Sequence, residues 1–173
     1  MGEYNFFASL FPRHTVQHGS KTQPGTASVA IALSRLLATT QALCRQSLYT
    51  HWQATEPDFS GLHSLFEQHY QSLRKAADAI AERIHALGYV VPKAFSQHTW
   101  GTDLDDTRPP EEMLIGLVRN HQICSREAKK VLDMADMAGD DITANLAAQR
   151  ASVHDRAALV LLALIPGKRQ LNA

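Results

Sequence analysis

The stretch LHSLFEQHYQSLRKAADAIAERIHALG, from Leu62 to Gly88, decides the fold that this sequence predicts. Its apolar residues recur at steps of mostly three and four, which places them on one face of an α-helix. That stripe consists of Leu62, Phe66, Leu73, Ala77, Ile80, Ile84 and Leu87. We expect the helix to start near Asp58 or Ser60, since both residues are good N-caps. Gly88 lies where helices commonly end in a left-handed turn, so we expect the helix to stop there.

Three other segments show the helical spacing of apolar residues. One precedes the quoted stretch and ends before Pro57. Another opens with Pro109 and Pro110, which suit a first helical turn. The last lies between a pair of aspartates and Pro166. We predict helices over residues 27–55, 109–139 and 142–165. No segment resembles a strand pair joined by a tight turn, so the predicted fold class is all-α.

The connection between the second and third predicted helices, residues 89–108, is long and irregular, with one short helical turn expected around Lys93–Gln97. Twenty extended residues reach ~66 Å, whereas a helix of about thirty residues spans ~45 Å. The connection can therefore run the length of the molecule and leave those two helices parallel. This describes a four-helix bundle with one long crossover. We place the bundle at residues 27–166, an extended tail at 1–26 and a short tail at 167–173.

The composition indicates one soluble globular domain. The chain has 173 residues, of which 45% are hydrophobic and 20% are charged, and its formal net charge is +0. Such a balance gives no overall attraction to nucleic acid or to an anionic membrane. The N-terminus lacks the pattern of a signal peptide, and we expect no segment with the composition of a membrane span. Cys44 and Cys124 belong to no CxxC pair, so we expect two thiols in a reducing, cytoplasmic compartment.

Five residues form a set of candidate metal ligands. On the second predicted helix, His63 and Glu67 are spaced i, i+4, and so are Asp78 and Glu82. Each pair therefore shares one helix face. His51 lies near the end of the first helix, so the turn into the second helix can bring it beside His63. Imidazole nitrogens together with carboxylate oxygens suit iron, with zinc or manganese as substitutes.

The distance between the two pairs decides how they could act together. His63 and Asp78 are 15 positions apart, which corresponds to ~22 Å on one continuous helix. A single ion with ligand bonds near ~2 Å cannot bridge that gap. Either the two pairs are unrelated, or a second copy of this helix runs antiparallel to the first. In the second case a two-fold axis places His63 and Glu67 of one chain opposite Asp78 and Glu82 of the other.

Two alternatives stand beside this interpretation. Charged residues on a long helix are commonly only its solvated face, although Glu67 and Asp78 lie among apolar positions. The stretch Glu82-x-x-His85 also matches half of the motif that di-iron carboxylate bundles use within one subunit. Such a centre needs an acid on the first helix, and residues 27–55 contain no Asp or Glu. We therefore expect His85 at the surface or in a supporting position.

At these residues the sequence resembles the Dps mini-ferritins. The resemblance covers about residues 28–165 and rests on His51-Trp52, His63, Glu67, Asp78-x-x-x-Glu82-Arg83, Leu87-Gly88 and Gly139-Asp140-Asp141. The family more often has Asp where this chain has Glu67, so that ligand reaches about one methylene further.

The resemblance implies a ferritin-like four-helix bundle that assembles into a dodecamer from two-fold dimers. It also implies ferroxidase sites at the dimer interfaces, built from His51, His63 and Glu67 of one subunit and Asp78 and Glu82 of its partner. Members of the family typically oxidise ferrous iron with hydrogen peroxide and store the ferric mineral, which protects against oxidative damage. Trp52 resembles the tryptophan that accepts stray oxidising equivalents; the alternative is a core aromatic at the helix end.

The name of the family suggests DNA protection, which the tails support only weakly. The N-terminal tail contains two basic residues, Arg13 and Lys21, and one acid, Glu3. The C-terminal tail contains Lys168 and Arg169. A dodecamer would present this charge many times, but each tail carries far fewer basic residues than a lysine-rich DNA-binding arm. Binding to DNA, and with it an association with the nucleoid, is therefore a weaker expectation than iron oxidation. The alternatives are a structural or DNA-compacting shell without efficient ferroxidase activity, and a helical interaction module.

Overall fold

A computed structural model describes residues 25–53, 62–91 and 109–165. These residues form four helices and contain no strand. In chain order the helices are α1 (Thr26–Gln53), α2 (His63–Ala86), α3 (Pro110–Ala138) and α4 (Asp141–Ala163). The predicted all-α class is confirmed, and most helix ends lie close to the predicted ones.

Several predictions fall outside the described residues, namely the two tails, the N-caps Asp58 and Ser60, and the short turn at Lys93–Gln97. The domain boundaries drawn from the tails therefore stay predictions. Helix α2 is described from His63, with Leu62 at its N-cap and no hydrogen bond from a capping side chain. The predicted start near Asp58 or Ser60 stays a prediction, and His63 lies in the first turn of α2 as described.

Glycine ends both α2 and α3 in the left-handed conformation. Gly88 has a φ of 84°, and its N–H and that of Tyr89 donate to carbonyls in the last turn of α2. This pairing is the Schellman motif, and it confirms the predicted stop at Gly88. Gly139, with a φ of 66°, ends α3 in the same way. The Asp140 side chain then accepts a hydrogen bond from the Thr143 N–H as the N-cap of α4.

Two clusters of buried side chains show in which direction the helices run. The first cluster includes Leu43, Phe66, Leu117 and Leu161. The second includes Val29, Ile84, Val131 and Ala147. The first cluster joins the later half of α1 and the end of α4 to the starts of α2 and α3. Helices α2 and α3 therefore run parallel, and α1 and α4 run opposite to them, as the long crossover predicts.

Helix α1 corrects one expectation about membranes. By length and composition it could cross a membrane, with a mean hydropathy of 1.4 over an 18-residue window. Half of that window is buried inside the bundle, where Leu33, Leu36 and Leu37 belong to the core. A core helix has the same composition as a span, so the place of α1 in the bundle accounts for its hydropathy.

Candidate metal site

The end of α1 and the first turns of α2 bring three of the predicted ligands together. The rings of His51 and His63 lie against each other with centroids 3.8 Å apart. His51 Nε2 lies 3.6 Å from Glu67 Oε2. These neighbours are the three residues that the family resemblance assigns to one subunit.

Hydrogen bonds orient two of these side chains. His51 Nδ1–H donates to the backbone carbonyl of His63 at 3.2 Å, which leaves the lone pair on His51 Nε2. Gln71 Nε2 donates to Glu67 Oε1 at 2.8 Å, and Glu67 Oε2 is the oxygen nearer to His51. Partners of this kind fix the tautomer and orientation of metal ligands. An imidazole nitrogen and a carboxylate oxygen are thus presented side by side.

The other two predicted ligands lie far along the same helix. Because α2 is continuous from His63 to Ala86, the separation of ~22 Å between His63 and Asp78 holds. Asp78 and Glu82 are both exposed. Within the described ranges, neither has a hydrogen-bond or ion-pair partner. One chain therefore gathers the first three ligands and leaves the last two apart from them at its surface.

A single chain offers no complete metal site in its described part. Among those residues, no group of three or more His, Cys, Asp or Glu side chains is arranged to hold a metal ion. His51, His63 and Glu67 are therefore neighbours in one chain without forming such a group. Trp52 is 65% exposed and lies outside the described core of the single chain. His85 is exposed, as expected.

Arg83 fixes the end of α2 that carries Glu82. Its guanidinium donates at 2.7 Å to Asp140 Oδ1 and at 2.7 Å to Thr143 Oγ1. The pair with Asp140 is largely buried, with side chains 17% and 11% exposed. Burial opposes the ionisation of Asp140, but hydrogen bonds from Arg83 and Thr143 outweigh it and hold the pKa of this carboxyl below its ordinary value. The bond ties α2 to the turn between α3 and α4.

Three histidines inside the bundle were missed as a group by the sequence analysis. His121 Nδ1 lies 3.1 Å from His154 Nδ1, and the His69 ring lies 5.3 Å from that of His121 between centroids. Each sits on the apolar face of its own helix, three or four residues from core positions on either side. That spacing is the signal by which the group could have been found.

Burial keeps these imidazoles neutral at physiological pH. It lowers the pKa of His121 to about 3, with the neighbouring His154 and His69 acting in the same direction. It also lowers the pKa of His154 to about 4, with a further contribution from Arg150. The pKa of His69 is lowered by burial as well. All three rings therefore offer one N–H and one lone pair each.

Comparisons with known proteins bear on both the fold and the site. The sequence pattern of the ferritin-like domain matches residues 31–157. An uncharacterized protein of Haemophilus influenzae is 31% identical over 134 residues, covering 73% of this chain and 84% of that protein. The DNA protection during starvation protein of Porphyromonas gingivalis is 28% identical over 123 residues, covering 69% and 77%.

A solved structure agrees with these relatives. The Dps protein of Vibrio cholerae, described as a member of a broad superfamily of ferritin-like diiron-carboxylate proteins, superposes with a TM-score of 0.73 at 25% identity. The match covers 81% of this chain and 90% of that one. The parallel course of α2 and α3 agrees with the topology of ferritin-like bundles. The chain therefore belongs to the ferritin-like family and, within it, to the Dps-type mini-ferritins.

Proposed function

We propose that this protein oxidises ferrous iron at sites formed between two copies of the chain and stores the ferric product inside a dodecameric shell. Its family and its Dps-named relatives support a ferroxidase-type and iron-storage role in general. Iron is the substrate in this proposal, and zinc or manganese would occupy the same ligands as substitutes. We place the shell in the cytoplasm, where it limits oxidative damage.

One observation carries the proposal: α2 bears two sets of ligands that its own length keeps apart. His51, His63 and Glu67 are neighbours at one end, and two exposed acids lie ~22 Å further along. If a two-fold axis relates two α2 helices, the group of His51, His63 and Glu67 in each chain would lie opposite Asp78 and Glu82 of the partner subunit. Each dimer would then hold two equivalent sites.

The proposed chemistry gives each ligand a role. The first iron would be held by His51, His63 and the partner's Glu82. The partner's Asp78 would be shared by the two irons, and Glu67 would support the second. Two ferrous ions give one electron each to one hydrogen peroxide molecule, whose O–O bond breaks. With two water molecules, the products are two FeOOH units and four protons. Because both electrons reach one peroxide, no hydroxyl radical is released.

Trp52 has a supporting role in this proposal. It directly follows His51 in the chain, and its indole is 65% exposed. An exposed indole beside the site can give up an electron when only one iron is bound and the second electron is missing. The indole would then be oxidised in place of the missing iron, and no hydroxyl radical would be released from the peroxide.

Peroxide-dependent iron oxidation, followed by absorbance of the ferric product, tests the proposal. His51→Ala and Glu82→Ala should each slow the reaction at least about tenfold, since each removes a ligand. Glu112→Ala, which removes an exposed acid from the start of α3, should react like the parent. Parent-like oxidation by both site variants would show that the ligands are assigned wrongly.

The same preparation separates the alternative functions. A twelve-subunit native mass without accelerated iron oxidation would favour the structural or DNA-compacting shell. Retardation of DNA in a gel at low salt would then support binding to DNA. A monomer or a small oligomer would instead favour a helical interaction module.

A further inference from the structure

A cavity of about 220 Å³ lies between α2 and α4, and the proposed iron ligands are not among the residues that line it. The main helix packing is α1 with α2, α1 with α3, and α3 with α4, which leaves a cleft between α2 and α4. Among the described residues, three histidines and two arginines line this cavity, and no carboxylate does. A partly open cleft with this set of polar groups is unlike the apolar core beside it.

The histidines in its wall carry unused hydrogen-bonding atoms. His154 is fully buried and His121 is 2% exposed. Across their 3.1 Å contact, one Nδ1–H donates to the other Nδ1, so one ring keeps an Nε2–H and the other an Nε2 lone pair. Among the described residues, both Nε2 atoms and His69 Nδ1 lack a hydrogen-bond partner. Buried polar atoms without a partner are uncommon and point to a missing ligand or water.

Charge decides what kind of ligand suits the cavity. Arg150 is half-buried, and within the described ranges its guanidinium has no hydrogen-bond or ion-pair partner. Arg156 is exposed and also lines the cavity. A guanidinium matches a carboxylate in geometry and charge. The rest of the wall includes Leu65, Leu73 and Val160, which favour an apolar ligand body.

We propose that this cavity binds a small organic carboxylate with an apolar body. The carboxylate would pair with Arg150 and accept a hydrogen bond from an imidazole N–H, while the hydrocarbon lies against the apolar wall. An engineered apolar cavity of ~150 Å³ holds benzene, so this one suits a body of about six to ten carbon atoms. The inference is independent of iron oxidation.

A metal ion is the competing occupant. The spacing of 3.1 Å between His121 Nδ1 and His154 Nδ1 would also suit two ligands of zinc, whose bonds to nitrogen are ~2.0–2.1 Å. Two guanidinium groups line the cavity and the described part of its wall contains no carboxylate, which opposes a cation. The observations therefore favour the anion.

Calorimetric titration of the full-length protein with octanoate tests this inference, with octanol as the neutral probe of equal chain length. Octanoate should bind at least about tenfold more tightly than octanol, equivalent to ~1.4 kcal/mol. Arg150→Gln should remove that preference. Arg126→Gln, which changes an exposed arginine outside the cavity, should keep it. Ala157→Phe, which fills the cavity, should abolish binding of both probes; circular dichroism checks that each variant is folded.

Four results would overturn the inference. Octanoate could fail to bind saturably at millimolar concentration, or bind no better than octanol. The preference for octanoate could survive in a folded Arg150→Gln protein. Finally, cobalt could bind in place of octanoate and give visible absorption bands that disappear in a folded His154→Phe variant, which would identify a cation site.

Discussion

If the iron site is shared between two chains, two inactive variants should restore each other when they are mixed. In the His51→Ala protein every site lacks a nitrogen ligand, and in the Glu82→Ala protein every site lacks a carboxylate. A dimer containing one chain of each kind has one site that lacks both ligands and one site that lacks neither. The prediction follows from the separation of ~22 Å along α2, which prevents one chain from using both ligands.

The expected recovery can be worked out from this arrangement. Random pairing of equal amounts of the two chains gives about half mixed dimers, each with one intact site of two. About a quarter of all sites are then intact, so the mixture should oxidise iron at about a quarter of the parent rate. The assay is peroxide-dependent oxidation of ferrous iron by assemblies co-expressed from two tagged variants and purified through both tags. Because selection through two tags enriches mixed shells, their subunit ratio should be measured by mass spectrometry.

A mixture that oxidises iron no faster than either variant alone would refute this reasoning. Co-expression of His51→Ala with His63→Ala provides the matched control. Both ligands belong to the same half of the site, so in a mixed dimer each site still lacks one of them. This control should recover no activity, and recovery there would show that the gain does not come from sharing.

Three further predictions concern stability, pH and the exposed indole. Arg83→Ala should lower the free energy of unfolding by about 2 kcal/mol, because it leaves a largely buried carboxylate unpaired; Lys129→Ala, which breaks an exposed ion pair, should cost less than ~1 kcal/mol in the same urea titration. The pKa values of about 3 for His121 and about 4 for His154 lie below the 6.5 of an unfolded histidine. The unfolded state therefore takes up protons first as the pH falls, and stability that is complete above about pH 6.5 should decline toward pH 4, by up to ~1.4 kcal/mol per pH unit for each histidine. Urea unfolding at pH 7 and pH 5 checks this, and a variant with phenylalanine at both positions should show a smaller difference between the two. Trp52→Phe should leave stability within ~0.5 kcal/mol, since the side chain is exposed, but should increase hydroxyl radical detected by spin trapping during iron oxidation; an unchanged radical yield would contradict the proposed role.

Much of the fold followed from local rules in the sequence. The stripe from Leu62 to Leu87 predicted α2, and Gly88 predicted its end because a left-handed residue there satisfies the last carbonyls. The length of the crossover predicted parallel α2 and α3, which the two core clusters confirm. The start of α2 stays a prediction, because Asp58 and Ser60 lie outside the described residues and the helix is described from Leu62, which has no capping side-chain hydrogen bond.

The candidate site was predictable in part, for a geometric reason. The i, i+4 spacing on α2 and the turn after α1 were enough to place His51, His63 and Glu67 together. The contribution of a second chain followed only from the helix rise and stays a proposal. The histidines between the helices escaped the sequence analysis because three residues far apart in sequence meet only through helix packing. Two of them, His121 and His154, come within hydrogen-bonding distance only there.

Anomalous diffraction from crystals soaked anaerobically in ferrous iron tests the central claim most directly. We predict iron peaks at the two-fold interface, within ~2.0–2.3 Å of His51, His63 and Glu67 of one subunit and of the carboxylates of Asp78 and Glu82 of its partner. Peaks bound by residues of one chain only, or no iron at the two-fold interface, would contradict a site made by assembly.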